Sequence, residues 1–108
     1  MITVVNRKFY KGPGIYIGRP MPRLGLNGSL LANQYRIGKD GTRDECCDKY
    51  EIWFNWRLES DPSFVAYIDS LVIGAKEGKD LIFICWCKPE RCHGDFIKSF
   101  IENKLWGN

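Results

Sequence analysis

Three of the five cysteines and the single histidine of this 108-residue chain fall in one late stretch, as Cys85, Cys87, Cys92 and His93. Thiols and imidazoles are nucleophiles, proton carriers and metal ligands, so this cluster is where chemistry is expected. A thiol in the first turn of a helix feels the positive end of the helix dipole, which lowers its pKa. Cys92 takes such a place if a helix begins at His93, with Arg91 beside it. It is therefore the expected nucleophile and the thiol expected to react first, with His93 as the candidate acid or base. Cys85 and Cys87 end an apolar run, where burial disfavours the charged form, and are expected to be less reactive.

Zinc is a competing use of the same groups. Cysteines one residue apart on a straight strand sit about 6–7 Å from each other, and neighbouring residues on a helix diverge by about 100°. Cys85, Cys87, Cys92 and His93 are therefore not expected to share a metal. A third use is a ligand pocket without covalent chemistry, in which the free amides of a helix start hold phosphate or carboxylate. Arg7, Arg19 and Arg43 fall at the ends of predicted elements, where a parallel sheet would gather them on one rim, and arginine forks match phosphate oxygens. The plain alternative makes Cys85, Trp86 and Cys87 core, gives the loop its shape from Pro89, and leaves His93 or Asp95 to cap the last helix.

The elements that position this cluster can be read in outline. Leu81 to Ile84 is a short apolar run after Gly78, Lys79 and Asp80, and reads as a strand buried on both faces. From His93 onward, Phe96, Ile97, Phe100, Ile101 and Leu105 recur at helical spacing. Strand, short loop and helix follow one another, and in open α/β sheets ligands sit just past the carboxyl ends of such strands. Upstream, Ile2 to Val5 is a β-branched run that predicts a first strand. Ile15 to Ile17, after the Gly12, Pro13, Gly14 turn signal, predicts a short hairpin strand at an edge.

Residues 20 to 28 are rich in Pro, Gly and Arg and read as a loop. Leu30 to Ile37 is irregular, with Tyr35 and Ile37 expected to point inward. Thr42 and Glu45 form a capping box ahead of an apolar stripe of Cys46, Tyr50, Trp53 and Phe54, with Arg57 alongside. In that helix Cys46 and Cys47 read as small core or near-surface residues. Asp61 and Pro62 start a second helix, which Gly78 closes. The expected fold is one small α/β domain over residues 1–108, a short mixed sheet with flanking helices in which the first and last strands are adjacent and parallel.

Composition bounds the partners. The net charge of +3 permits anion binding without the basic excess of a nucleic-acid binder, and hydrophobic residues at 44% suffice for a core. No apolar stretch reaches the roughly 18 residues of a membrane span. The first residues, Met1 to Arg7, lack the basic start and apolar core of a secretory signal, so a cytoplasmic location with reduced thiols is expected.

The chain resembles a family of small bacterial and phage proteins known as domain of unknown function 4326. The most specific shared residues are Cys85, Trp86 and Cys87, then Pro89, then Cys92, His93, Gly94 and Asp95. Supporting pieces are Val5-Asn6-Arg7, Tyr16-Ile17-Gly18-Arg19, and Asp40-Gly41-Thr42-Arg43 leading to Tyr50 and Trp53. Where family members usually carry a Gly-Asn-Pro-Phe type segment, this chain has Ala32-Asn33-Gln34-Tyr35. The last third is also similar to another uncharacterised α/β family, number 488 in that series. The resemblance implies a Rossmann-like domain of phage or bacterial cytoplasm, with these residues as the site.

The expectation is thus a protein that binds a phosphorylated or otherwise anionic small molecule, with a nucleotide the leading candidate. Its pocket would be lined by Asn6, Arg7, Arg19, Arg43, Cys85, Trp86, Cys87, Pro89 and Asp95, with Cys92 and His93 available for catalysis. The alternative is a phage-encoded interaction protein that grips a host protein through exposed aromatics such as Trp53, Trp56 or Trp106.

Overall fold

The computed structural model describes residues 1–106. The elements are β1 (Ile2–Asn6), β2 (Ile15–Tyr16), α1 (Arg43–Ser60), α2 (Pro62–Lys76), β3 (Leu81–Cys85) and α3 (His93–Trp106), with a 3-10 turn at Pro22–Leu24. β3 is the middle strand, with β1 on one side and β2 on the other, and both neighbours run parallel to it. The α/β class and the parallel pairing of the first and last strands hold. The expected mixed sheet does not: the sheet is wholly parallel, and β2 is not a hairpin arm of β1.

The reason lies in the length and register of β2. Its two residues pair with Phe83 and Ile84, near the carboxyl end of β3. The chain leaving Asn6, level with Cys85, must cross two strand spacings, about 10 Å, but need drop back along the sheet by only two residues to enter β2 level with Phe83. A loop over residues 7–14 therefore does what a crossover helix usually does. Gly14 permits the close passage, because a Cβ there would lie 2.7 Å from the Ile82 carbonyl oxygen.

The helix starts follow from local chemistry. The Thr42 hydroxyl accepts from the Glu45 amide while the Glu45 carboxylate accepts from the Thr42 amide, so two orphan donors are satisfied. The Asp61 carboxylate accepts from the Ser63 and Phe64 amides at the start of α2, where Pro62 fills the first helical position. Gly78, at φ +88°, ends that helix in a conformation glycine adopts without steric cost.

Packing falls on one side of the sheet. Ile2, Leu81, Phe83 and Cys85 share a core with Tyr50 and Phe54 of α1, Phe64 and Ile68 of α2, and Ile97 and Ile101 of α3. Phe54 is the hub, with ring centroids 5.1 Å from Phe64, 5.0 Å from Phe96 and 5.1 Å from Phe100. One ring thus ties three helices together, beyond the gain from burial alone. On the other side of β3, Ile82 is only half-buried, so the strand is less fully enclosed than its apolar run implies. Ile37, expected inward, is 53% exposed; Leu31, at 0%, anchors the irregular segment instead, and its carbonyl accepts from the Tyr50 hydroxyl. No helix among the described residues is long and apolar enough to cross a membrane.

The first turn of α3 is pressed against the sheet at Gly94. A Cβ there would stand 2.8 Å from Val4 Cγ1 and 2.9 Å from Ile17 Cδ1. Helix propensity alone favours alanine over glycine by about 1 kcal/mol, but overpacking a fitted contact costs about 1–3 kcal/mol. Gly94→Ala is therefore expected to lower stability by about 1 kcal/mol or more despite its better helix propensity. Gly74→Ala in α2, whose Cβ would meet only the Lys79 side chain at 3.7 Å, is expected to raise it. Chemical denaturation of the two variants checks the opposite signs, and stabilisation by both would mean the α3 contact yields freely.

Candidate functional site

β3 ends at Cys85, and the backbone turns at once: the Glu90 amide donates to the Cys87 carbonyl, and the Lys88–Pro89 peptide is cis. Asn6, at the end of β1, shapes this turn. Its side-chain amide donates to the carbonyls of Trp86 (3.2 Å) and Lys88 (2.7 Å), while its oxygen accepts from the Lys8 amide. From the other edge of the sheet, the Tyr16 hydroxyl accepts from Trp86 Nε1 at 2.8 Å and donates to the Arg19 carbonyl at 2.6 Å. Both edge strands therefore hold the loop that carries the cysteines.

The far side of the loop is moored to α1. Arg43 donates to the Arg91 carbonyl at 3.1 Å, and the Arg91 guanidinium reaches back to Asp44, Asp48 and Glu51 along one face of that helix. Hydrogen bonds to Asp44 and Asp48 hold the Arg91 pKa above the ordinary arginine range. Each pair is solvent-exposed and worth little singly, but together they orient the loop.

Between these supports lies a pocket of about 380 Å³ at the carboxyl end of β3, within the size range of small-molecule sites. All five cysteines line it, with His93, Trp86, Tyr16 and Tyr35, and four arginines stand around it: Arg19, Arg36, Arg43 and Arg91. Of the residues that sequence singled out, Arg19, Arg43, Cys85, Trp86, Cys87, Cys92 and His93 come together here. Asn6, Arg7, Pro89 and Asp95 lie outside the pocket wall. Asn6 holds the loop, while Asp95 accepts from the Cys92 amide at 3.2 Å and pairs with Lys88. Arg36, Tyr35 and the wall position of Cys46 and Cys47 were not legible beforehand. The first two come from an irregular segment without periodicity, and the last two from a helix in which they read only as small core or near-surface residues.

At the floor, Cys92 donates its thiol hydrogen to Cys85, with sulfurs 3.6 Å apart and both side chains buried. This reverses the expected order of acidity. The hydrogen bond from Cys92, helped by the amides of Cys87 and Lys88, lowers the Cys85 thiol to about 6 against burial. Cys92 is pushed up by its hydrogen bond to Cys85 and by burial, which outweigh the amide of Gly94 at the helix start. Helix position alone was a poor guide because the nearest partner of Cys92 is another sulfur.

His93 is 8% exposed, its Nε2 is 2.8 Å from the Ile17 carbonyl, and its ring lies 4.8 Å from that of Tyr50. A carbonyl only accepts, so Nε2 carries the hydrogen of a neutral ring. Burial lowers its pKa to about 4. The ring is a tie between the chain after β2, α3 and α1, held neutral at pH 7. Among the described residues, no three histidine, cysteine or carboxylate groups are arranged to hold a metal ion.

Two outcomes follow. Modification of Cys85 by a small thiol reagent should show a pH midpoint near 6, and Cys92→Ala should move it up toward the ordinary 9.0; a midpoint unmoved by that change would remove the hydrogen bond as cause. For His93 the folded pKa of about 4 lies below the ordinary 6.5. The unfolded chain therefore binds the extra proton as pH falls from about 6.5 toward 4, and stability drops over that window by on the order of 3 kcal/mol in total. Denaturation of wild type and His93→Gln at pH 6.5 and pH 5 should show this extra slope in the wild type alone.

The family model described as domain of unknown function (DUF4326) matches residues 5–103. No curated protein and no solved structure matches the chain. The matched span takes in the end of β1 (Val5 and Asn6), the other two strands, the first two helices, most of α3 and every residue of the pocket, and the chain belongs to the DUF4326 family.

Proposed function

We propose that this protein binds a phosphorylated or otherwise anionic small molecule, with a nucleotide as the fitting class, in the pocket at the end of β3. The observation that carries this reading is the state of the arginines. Arg91 is committed to three carboxylates, whereas among the described residues Arg19, Arg36 and Arg43 make no ion pair. Arg19 and Arg43 each spend one donor on a carbonyl, of Asn33 and Arg91, and Arg43 also hydrogen-bonds the Cys87 side chain, so no carboxylate neutralises either fork. Three unneutralised guanidinium groups around one concavity favour an anion with several oxygens. Tyr16, Tyr35 and Trp86 on the same wall add flat apolar surface suited to a base.

The reading treats the domain as a reduced Rossmann-like unit working in the cytoplasm. Its middle strand has one neighbour on each side, and a ligand would sit where the strand order reverses, outside the carboxyl ends. A second reading, a phage protein gripping a host protein, draws on Ile52 (73% exposed) and Trp56 (56%) one turn apart on α1, and on Trp106 (83%) at the end of α3. Trp53 does not join them, because it packs against the core.

The test is thermal denaturation with inorganic phosphate and with a nucleoside monophosphate. A ligand at a hundred times its Kd adds about 2.7 kcal/mol, so Tm should rise with either, and further with the nucleotide. Arg19→Gln combined with Arg36→Gln should abolish both shifts, and Tyr35→Ala only the excess for the nucleotide. Arg7→Gln, outside the pocket, should leave them intact. Shifts that survive the double arginine change would refute the reading.

A further inference from the structure

Two buried sulfurs within hydrogen-bonding distance, at the floor of an arginine-ringed pocket, form a more specific site than an anion-binding concavity requires. We propose that Cys85 and Cys92 form a dithiol site for thiol–disulfide exchange with acidic low-molecular-weight disulfides, Cys85 attacking first and Cys92 resolving. This rests on the anion-binding reading for its substrate class, since Arg19, Arg36 and Arg43 would draw the carboxylates of such a disulfide to the pocket.

The placement of each sulfur gives the order of events. Cys85 accepts the Cys92 hydrogen bond at 3.6 Å, which leaves Cys85 as the thiolate and Cys92 as the protonated partner. The Cys85 thiolate attacks one sulfur of the substrate, the substrate sulfur–sulfur bond breaks, and one half leaves as a thiolate. Cys85 is then in a mixed disulfide and carries no negative charge. The largest influence that raised the Cys92 pKa, its hydrogen bond to the Cys85 thiolate, is thereby gone, while the Gly94 amide that lowers it remains. Cys92 gives its proton to a departing thiolate and attacks the Cys85 sulfur, and the second half leaves. One dithiol and one disulfide become an internal disulfide and two small thiols, so the protein is oxidised by two electrons and the substrate reduced by two. Any thiol nucleophile reverses the sequence.

Cys87 and Cys47 also line the pocket, so the identity of the reacting pair is open to direct test. The reduced protein is incubated with oxidised glutathione, whose halves carry carboxylates, and separately with neutral bis(2-hydroxyethyl) disulfide. Peptide mapping by mass spectrometry follows. The wild type should lose two hydrogens, with Cys85 and Cys92 joined, and about tenfold or more faster with the acidic disulfide, as expected when charge focuses a substrate into a cleft. Cys92→Ser should stop at a single glutathionyl group on Cys85. A wild-type linkage between other cysteines, or no internal disulfide with either reagent, overturns the proposal even where phosphate still raises Tm. Equal rates with the two reagents would keep the Cys85–Cys92 chemistry and overturn the acidic substrate class, and with it the arginine-based reading. The wild-type map alone identifies the pair should a cysteine variant fail to fold.

Discussion

The seating of the first turn of α3 against the sheet is the constraint on which the site depends. Gly94 lets the helix backbone approach Val4 and Ile17 to a distance no side chain would allow. His93 then reaches the Ile17 carbonyl at 2.8 Å, and Cys92 comes beside Cys85. A buried imidazole with an unmet donor would be costly, so the hydrogen bond to Ile17 both satisfies the ring and keeps the chain after β2 beside α3. Those contacts bring α3 and the strands together, and the pocket is the space left in front of them.

The pocket wall is held by polar contacts of a different kind. Asn6 from β1 and Tyr16 from β2 fasten the turn after β3 through its carbonyls and the Trp86 indole. Arg43 and Arg91 fasten its other side to α1. The side chains of Tyr16, Trp86, Arg43 and Arg91 thus both line the pocket and hold the loop, whereas those of Arg19 and Arg36 take no part in holding it. That division leaves Arg19 and Arg36 available to a ligand. It also explains why one arginine in the ring, Arg91, is structural: three acidic residues spaced along α1 already neutralise it.

The acidity of the thiols shows how local rules are overridden. A cysteine at a helix start is ordinarily acidified by the dipole. Here Cys92 hydrogen-bonds to a second sulfur in a buried floor, and the shared proton settles on it because Cys85 is also supported by the amides of Cys87 and Lys88. The partner lies seven residues away across a turn, and no pattern along the chain reports that separation.

Much of the frame was legible in the residues themselves. Thr42 with Glu45 and Asp61 with Pro62 announced two helix starts, because capping chemistry acts within one turn. Helical spacing exposed the buried faces of α1 and α3, and the run at Leu81 marked the middle strand. The clustering of Cys85, Trp86, Cys87, Cys92 and His93 marked the strand end as the place for chemistry. Tertiary structure alone decided the rest. A two-residue strand such as β2 has too little pattern to declare its partner, so its parallel pairing with β3 depended on the path of residues 7–14. Tyr35 and Arg36 reach the pocket from a segment with no periodicity. Arg7 misses the pocket although it ends a strand, because only a folded sheet shows which side a chain end takes. Local chemistry acts over a few residues and leaves its mark in sequence, whereas the meeting of distant side chains is set by packing.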